Sequence, residues 1–94
     1  MNDVFSHPWL GGLFQDAKAA AIWSPDRQVA HMLAFEAALT RAFGDVDTLP
    51  ADVAKDVAET IADFSPNFAA LRSGTARDGV VVPALVQQLR SAVG

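Results

Sequence analysis

The chain contains no cysteine. That excludes disulfides and thiolate chemistry, and it fits a reducing cytoplasm. Basic residues are few, two Lys and five Arg, and they are scattered. A nucleic-acid surface needs a concentrated basic face to neutralise phosphates, so no nucleic-acid partner is expected. Only two histidines occur, His7 and His31, far apart and with no acidic residue three or four positions after either. No metal site is expected from them. Although 51% of residues are hydrophobic, no apolar run approaches the ~18–20 residues of a membrane span. The first seven residues, Met-Asn-Asp-Val-Phe-Ser-His, hold neither the basic nor the apolar region of a secretion signal. The expectation is a cytoplasmic protein with no membrane partner.

What is present suits one domain spanning residues 1–94. A chain this short buries only about 60–68% of the surface that its unfolded form exposes, so the core is modest. Net charge is -4. The only β-prone run, Val80-Val81-Val82, is too short to build a sheet. The pattern predicts an all-α fold of about four helices.

Residues 1–14 read as an apolar arm. Pro8 and the Gly11-Gly12 pair break regular structure, and Trp9, Leu10, Leu13 and Phe14 make a strongly apolar patch. The arm is expected to be extended and packed on this or a neighbouring subunit, where it drives dimerisation or swapping. A lid or a substrate contact through His7 is the alternative. Gln15 to Ile22 can form a short helical piece. Ser24-Pro25-Asp26 then opens the first long helix: Ser24 caps it, Pro25 suits its first position, and Asp26 complements the dipole.

That helix is predicted over 25–43, stopped by Gly44. Val29, Met32, Leu33, Phe35, Leu39 and Phe43 fill an arc of roughly 160°. Glu36 falls inside the arc, where a carboxylate needs a partner or a raised pKa. A structural role, a catalytic one and a partly exposed position are all open for it. The second helix is predicted over 50–64, with Val53, Val57, Ile61 and Phe64 turned inward. Ser65-Pro66-Asn67 repeats the capping pattern and starts a short helix over 67–73, with Phe68 and Leu71 inward and Gly74 as its stop. The last helix is predicted over 83–93, with Leu85, Leu89 and Val93 as its stripe.

Residues 74–82 are left as a loop between two helices, and it holds the candidate site. Arg77 supplies a fixed positive fork suited to carboxylates. Thr75 supplies a hydroxyl, and Asp78 can orient Arg77 or accept a proton. Gly74 and Gly79 permit backbone geometries that other residues disfavour. These residue types favour an anionic ligand; a purely local Arg77-Asp78 ion pair is the alternative.

Three blocks carry a resemblance. They are His7-Pro8-Trp9-Leu10-Gly11-Gly12-Leu13-Phe14; Ala21-Ile22-Trp23-Ser24-Pro25 running into Met32-Leu33-Ala34-Phe35-Glu36-Ala37-Ala38-Leu39; and Gly74 through Pro83 followed by Leu85-Val86-Gln87-Gln88-Leu89-Arg90. In this order they resemble the N-terminal domain of 3-carboxy-cis,cis-muconate cycloisomerases, in the fumarase/aspartase superfamily. The second block is shared across that superfamily, including adenylosuccinate lyase. Adenylosuccinate lyases typically carry Arg-Tyr where this chain has Leu13-Phe14, and Thr-x-His-Asp where it has Thr75-Ala76-Arg77-Asp78. A tricarboxylate therefore fits these residues better than a nucleotide.

The resemblance implies domain 1 of a homotetrameric isomerase of aromatic catabolism. Its reaction is reversible lactonisation of 3-carboxy-cis,cis-muconate in the protocatechuate branch of the β-ketoadipate pathway. It implies Thr75, Arg77 and Asp78 as substrate-binding residues, with no metal or other cofactor. The partners implied are the rest of the enzyme or identical subunits. The long central helices, and the loop that supplies the catalytic base in that family, have no counterpart in these 94 residues. The chain is therefore expected to be inactive alone. A helical interaction module that has lost the chemistry, or another superfamily lyase such as adenylosuccinate lyase, is the alternative.

Overall fold

Six helical segments account for the regular structure of residues 3–94, which the computed structural model describes. They are α1 (Gly11–Phe14), α2 (Ala17–Ile22), α3 (Pro25–Asp45), α4 (Ala51–Ala62), α5 (Phe68–Asp78) and α6 (Val82–Val93). No strand occurs among the described residues. The fold is all-α, with four substantial helices. None of the described helices is long and apolar enough to cross a membrane. The chain divides into two units, Met1–His31 and Met32–Gly94.

In the first unit the arm is not extended. Its short polar side chains close successive turns. The Asp3 carboxylate accepts from the backbone N–H of Phe5 and Ser6 and from the Ser6 hydroxyl, at 2.8–3.0 Å. The N–H of Ser6, foremost among these donors, holds the Asp3 carboxyl below the usual carboxylate range. His7 does the same for the next turn: its Nδ1 accepts from Leu10 N–H at 3.2 Å and from Trp9 N–H at 3.4 Å. The His7 and Trp9 rings meet edge to face, 4.3 Å apart. His7 is thus a turn cap. Leu13 and Phe14 then lie in α1 and remain exposed, as does Trp9.

Asp16 caps α2 through the N–H groups of Lys18 and Ala19. Ser24 Oγ accepts from Arg27 N–H at 3.3 Å, so α3 begins at Pro25 as its capping residues predict. The Gln28 side chain adds a 2.7 Å bond to the Trp23 carbonyl.

The second unit holds most of the core. Its buried apolar residues are Leu33, Ala37, Ala54, Ala58, Ile61, Leu71, Ala84, Leu85 and Leu89. Helix α6 packs on both α4 and α5. Four of these nine side chains are alanine, and this changes which helix faces point inward. On α4 the buried line is Ala54, Ala58 and Ile61, while Val53, expected inward, is exposed and Val57 is half-buried. On α3 it is Leu33 and Ala37, while Phe35, Leu39 and Phe43 are exposed. On α5 Leu71 is buried but Phe68 is exposed. On α6 Leu85 and Leu89 are buried as expected, whereas Val93 is exposed near the helix end. Glu36 is half-buried rather than enclosed, because it stands between the outward-facing part of the apolar arc, Phe35, Leu39 and Phe43, and its buried edge at Val29 and Leu33.

The glycines explain the choice of faces. A Cβ at Gly44 would lie 2.6 Å from the Cβ of Ala54, and one at Gly74 would lie 2.5 Å from that of Ala84. Both distances are far below van der Waals contact. Helices α3 and α4, and likewise α5 and α6, therefore approach over a Gly-Ala pair. Neither glycine stops its helix, contrary to the sequence expectation.

The real stops lie further on. Asp47 takes the left-handed conformation (φ 60°). Its N–H bonds to the Gly44 carbonyl at 3.3 Å, and Thr48 N–H bonds to the Phe43 carbonyl at 2.9 Å. This is a Schellman closure with Asp in the position usually held by Gly. At the other helix, Gly79 (φ 77°) donates its N–H to the Thr75 carbonyl at 2.8 Å. So α5 runs through the expected loop as far as Asp78, and only residues 79–81 connect it to α6. At its start Asn67, rather than Ser65, is the cap, accepting from Ala70 N–H at 3.1 Å. Gln88 of α6 clamps the same residue from the side. It accepts from Asn67 N–H at 2.8 Å and donates to the Asn67 carbonyl at 3.2 Å.

Gly74→Ala should lower stability by about 1–3 kcal/mol despite Ala's better helix propensity, because the two helices must separate. Ala84→Gly in the same chain should recover part of that loss. Gly79→Ala meets nothing within 4 Å, so only left-handed strain opposes it, at about 1–2 kcal/mol. Denaturant unfolding followed by circular dichroism reads both, and an unchanged midpoint for Gly74→Ala would contradict the close approach. By the same logic Asp47→Gly should stabilise the chain, by about 1 kcal/mol, as a rise in the same midpoint.

Candidate functional site

The residues singled out for chemistry, Thr75, Arg77 and Asp78, occupy the last turn of α5. This is a helix end rather than a loop. The sequence signal was present but was overridden by Gly74. Gly79 is the glycine followed by a β-prone run and then Pro83, and Arg77 stands in the turn before it, where a cation suits the negative end of the dipole.

At about 100° per residue, Arg77 lies roughly 200° round the helix from Thr75. The structure therefore does not bring the Thr75 hydroxyl to the guanidinium. Thr75 is half-buried, and its carbonyl is occupied by the Gly79 cap. Arg77 and Asp78 do meet. Arg77 Nε donates to Asp78 Oδ1 and Nη2 donates to Oδ2, both at 3.1 Å. Two of the guanidinium's five N–H donors are thus committed, and three remain.

The two side chains differ in exposure, 68% for Arg77 and 28% for Asp78. Hydrogen bonds from Arg77 hold the Asp78 carboxyl below the usual carboxylate range, against an opposing push from partial burial. The same bonds raise Arg77 further above its ordinary value.

Arg77 stands at the rim of an open groove of about 610 Å³ between α5 and α6. Gly74 and Ala84 form its floor, and their small size creates the hollow. Ser73 flanks Arg77 on α5, and Gln87, Gln88 and Ser91 line the α6 side. Two of these polar groups are already engaged: Gln88 on Asn67, and the Ser91 hydroxyl on the Gln87 carbonyl at 3.4 Å. The groups left to face a ligand are the outer N–H donors of Arg77, the Gln87 amide and the Ser73 hydroxyl. This is a donor-rich set suited to carboxylate oxygens. Gln87 and Ser73 were not among the site candidates read from the sequence, since nothing in their spacing marks them.

A smaller hollow of about 270 Å³ lies where the end of α3 meets the start of α4, between Arg41, Asp45 and Lys55. No group of three His, Cys, Asp or Glu side chains able to hold a metal occurs among the described residues. At Glu36 the backbone carbonyl accepts from the Thr40 hydroxyl at 2.9 Å.

The pair sets a direction for acid titration. Asp78 titrates lower folded than unfolded, so its stabilising contribution is complete above the unfolded carboxyl's pKa and is lost as pH falls through the folded one. Carbon-detected NMR should give Asp78 a midpoint below that of an ordinary aspartate, and Arg77→Ala should raise it. An ordinary midpoint in the unsubstituted chain would rule out the bidentate contact in solution.

No known family model matches this chain, and no curated protein is significantly similar to it.

Proposed function

We propose that this chain is the N-terminal helical domain of an enzyme resembling 3-carboxy-cis,cis-muconate cycloisomerase, in which Arg77 binds a substrate carboxylate. One observation supports this reading above the others. Arg77 is held in a fixed orientation by Asp78, yet it keeps three uncommitted N–H donors at the edge of a polar groove. An arginine oriented in advance loses less freedom when it takes a carboxylate. In this reading Asp78 orients Arg77 and does not itself touch the substrate. Thr75 faces away from the groove and is not part of the same contact.

The reaction proposed is reversible lactonisation of a tricarboxylate diene, in which a substrate carboxylate adds across a double bond and a proton is delivered to the adjacent carbon. The Asp78 carboxylate is engaged by Arg77 and held ionised, which leaves it a poor proton donor for lactonisation and a poor base for the reverse reaction. The group that gives and takes this proton is therefore assigned to the remainder of the enzyme, and the isolated chain is inactive. Cytoplasmic aromatic catabolism and association with identical subunits belong to the same reading. A second reading, a helical interaction module without chemistry, draws on the exposed Trp9, Leu13, Trp23, Phe35 and Phe43.

Titrating ¹⁵N-labelled chain with 3-carboxy-cis,cis-muconate separates the two. The first reading expects shifts at the Arg77 Nε–H and the Gln87 side-chain amide. Arg77→Ala should weaken the apparent affinity about tenfold, the share of a charge-assisted hydrogen bond that survives at an exposed site. Shifts that ignore Arg77→Ala would sink the carboxylate contact. Lactonisation by the purified chain alone would overturn the division of labour.

A further inference from the structure

Helix α3 is apolar on two faces. One carries the buried Val29, Leu33 and Ala37. The other carries Phe35, Leu39 and Phe43, continued by Val46, whose N–H still bonds to the Ala42 carbonyl at 3.1 Å. These four side chains are 65%, 40%, 41% and 69% exposed. Exposed apolar stripes of this size normally mark a surface that something covers.

We propose that a second copy of this chain covers the outer face of α3, forming an antiparallel dimer about a two-fold axis at Leu39. This goes beyond the proposed function, which names no face for the association of identical subunits, and does not depend on it. The pattern of the stripe identifies the occupant. Met32, Phe35, Leu39, Phe43 and Val46 are spaced 3, 4, 4 and 3 residues apart. That spacing reads the same from either end, so an antiparallel copy meets it in register, residue i against j and j against i, as in an isologous interface. The axis sets Leu39 against the partner's Leu39. It sets each Phe35 beside the partner's Phe43, and each Met32 beside the partner's Val46. Size is matched as well, with an aromatic opposite an aromatic and an aliphatic side chain opposite an aliphatic one.

Charge and bulk agree with the arrangement. Glu36 falls opposite the partner's Ala42, so no like charges meet along the register. Ala38 and Ala42, both exposed, flank one side of the stripe and allow two helices to approach closely.

The area is also what a dimer needs. The exposed parts of the four side chains come to roughly 400 Å². A standard interface of about 800 Å² per partner is a little over half apolar, or roughly 450 Å². The stripe by itself supplies most of that. The arm, in the other unit, also exposes Trp9 and Leu13, and the test distinguishes association through it from association through the stripe.

Sedimentation equilibrium of the 94-residue chain from 1 to 200 µM reads the association. A dimer is expected, with Phe35→Glu weakening it at least tenfold and Trp9→Glu leaving it within twofold. Circular dichroism checks that Phe35→Glu keeps its helix content. If it does not, Leu39→Cys serves instead, since the chain has no other cysteine and the variant is conservative in size. Under mild oxidation Leu39→Cys should form a disulfide-linked dimer, and Trp9→Cys should not. A monomer at 200 µM overturns the proposal. So does a dimer that is lost with Trp9→Glu but kept with Phe35→Glu, or cross-linking at position 9 and none at 39.

Discussion

A methyl group at Gly74 would have nowhere to go, with the Cβ of Ala84 only 2.5 Å away. The second unit depends on that contact. Helix α6 is the element that touches both α4 and α5, and it can lie against α5 only because one side of the crossing has no side chain. The Gly44–Ala54 approach of α3 and α4 follows the same rule. With backbones this close, what fits between helices is alanine and a few leucines. Ala58 is fully buried and Leu85 nearly so. Close packing turns small residues into core and turns the larger side chains of the same helices outward.

The outer surface then acquires its character by exclusion. Phe35, Leu39, Phe43 and Val53 are apolar, but they do not fit a seam built on Gly and Ala. They remain as an apolar exterior, more than a lone monomer normally presents. The groove beside Arg77 has the same origin. Its floor is the Gly74–Ala84 crossing, and its walls are the longer polar side chains that rise on either side. Helix packing and ligand access are thus two consequences of one steric fact.

Electrostatics act at the ends of elements. Asp3, His7, Asp16, Ser24 and Asn67 each satisfy the N–H groups of a turn or helix start. Arg77 and Asp78 sit at a helix finish, where the cation is favoured by the dipole and the anion is not. Their mutual hydrogen bonds compensate Asp78 for that position. The result is an arginine that is exposed but not free to wander, a property useful for recognising a carboxylate.

The amino-acid sequence by itself determined the helical class, the start of α3 at Pro25 and, to within one residue, that of α6, where Pro83 lies in the first turn, together with the pairing of Arg77 with Asp78. These depend on neighbours in the chain: a capping hydroxyl, a proline in a first turn, two adjacent opposite charges. Local chemistry also marked Leu85 and Leu89 as core. Tertiary structure alone decided which face of α3 and α4 is inside, whether Gly44 and Gly74 stop or continue their helices, and that Thr75 points away from Arg77. A glycine reads the same whether it ends a helix or admits a neighbouring one. Only the position of Ala84 opposite Gly74, ten residues along the chain and 2.5 Å from where a Cβ would be, distinguishes the two. Once α5 continues past Gly74, the angle per residue separates the presumed site residues onto opposite faces, which no reading of 74–82 as a loop could reveal.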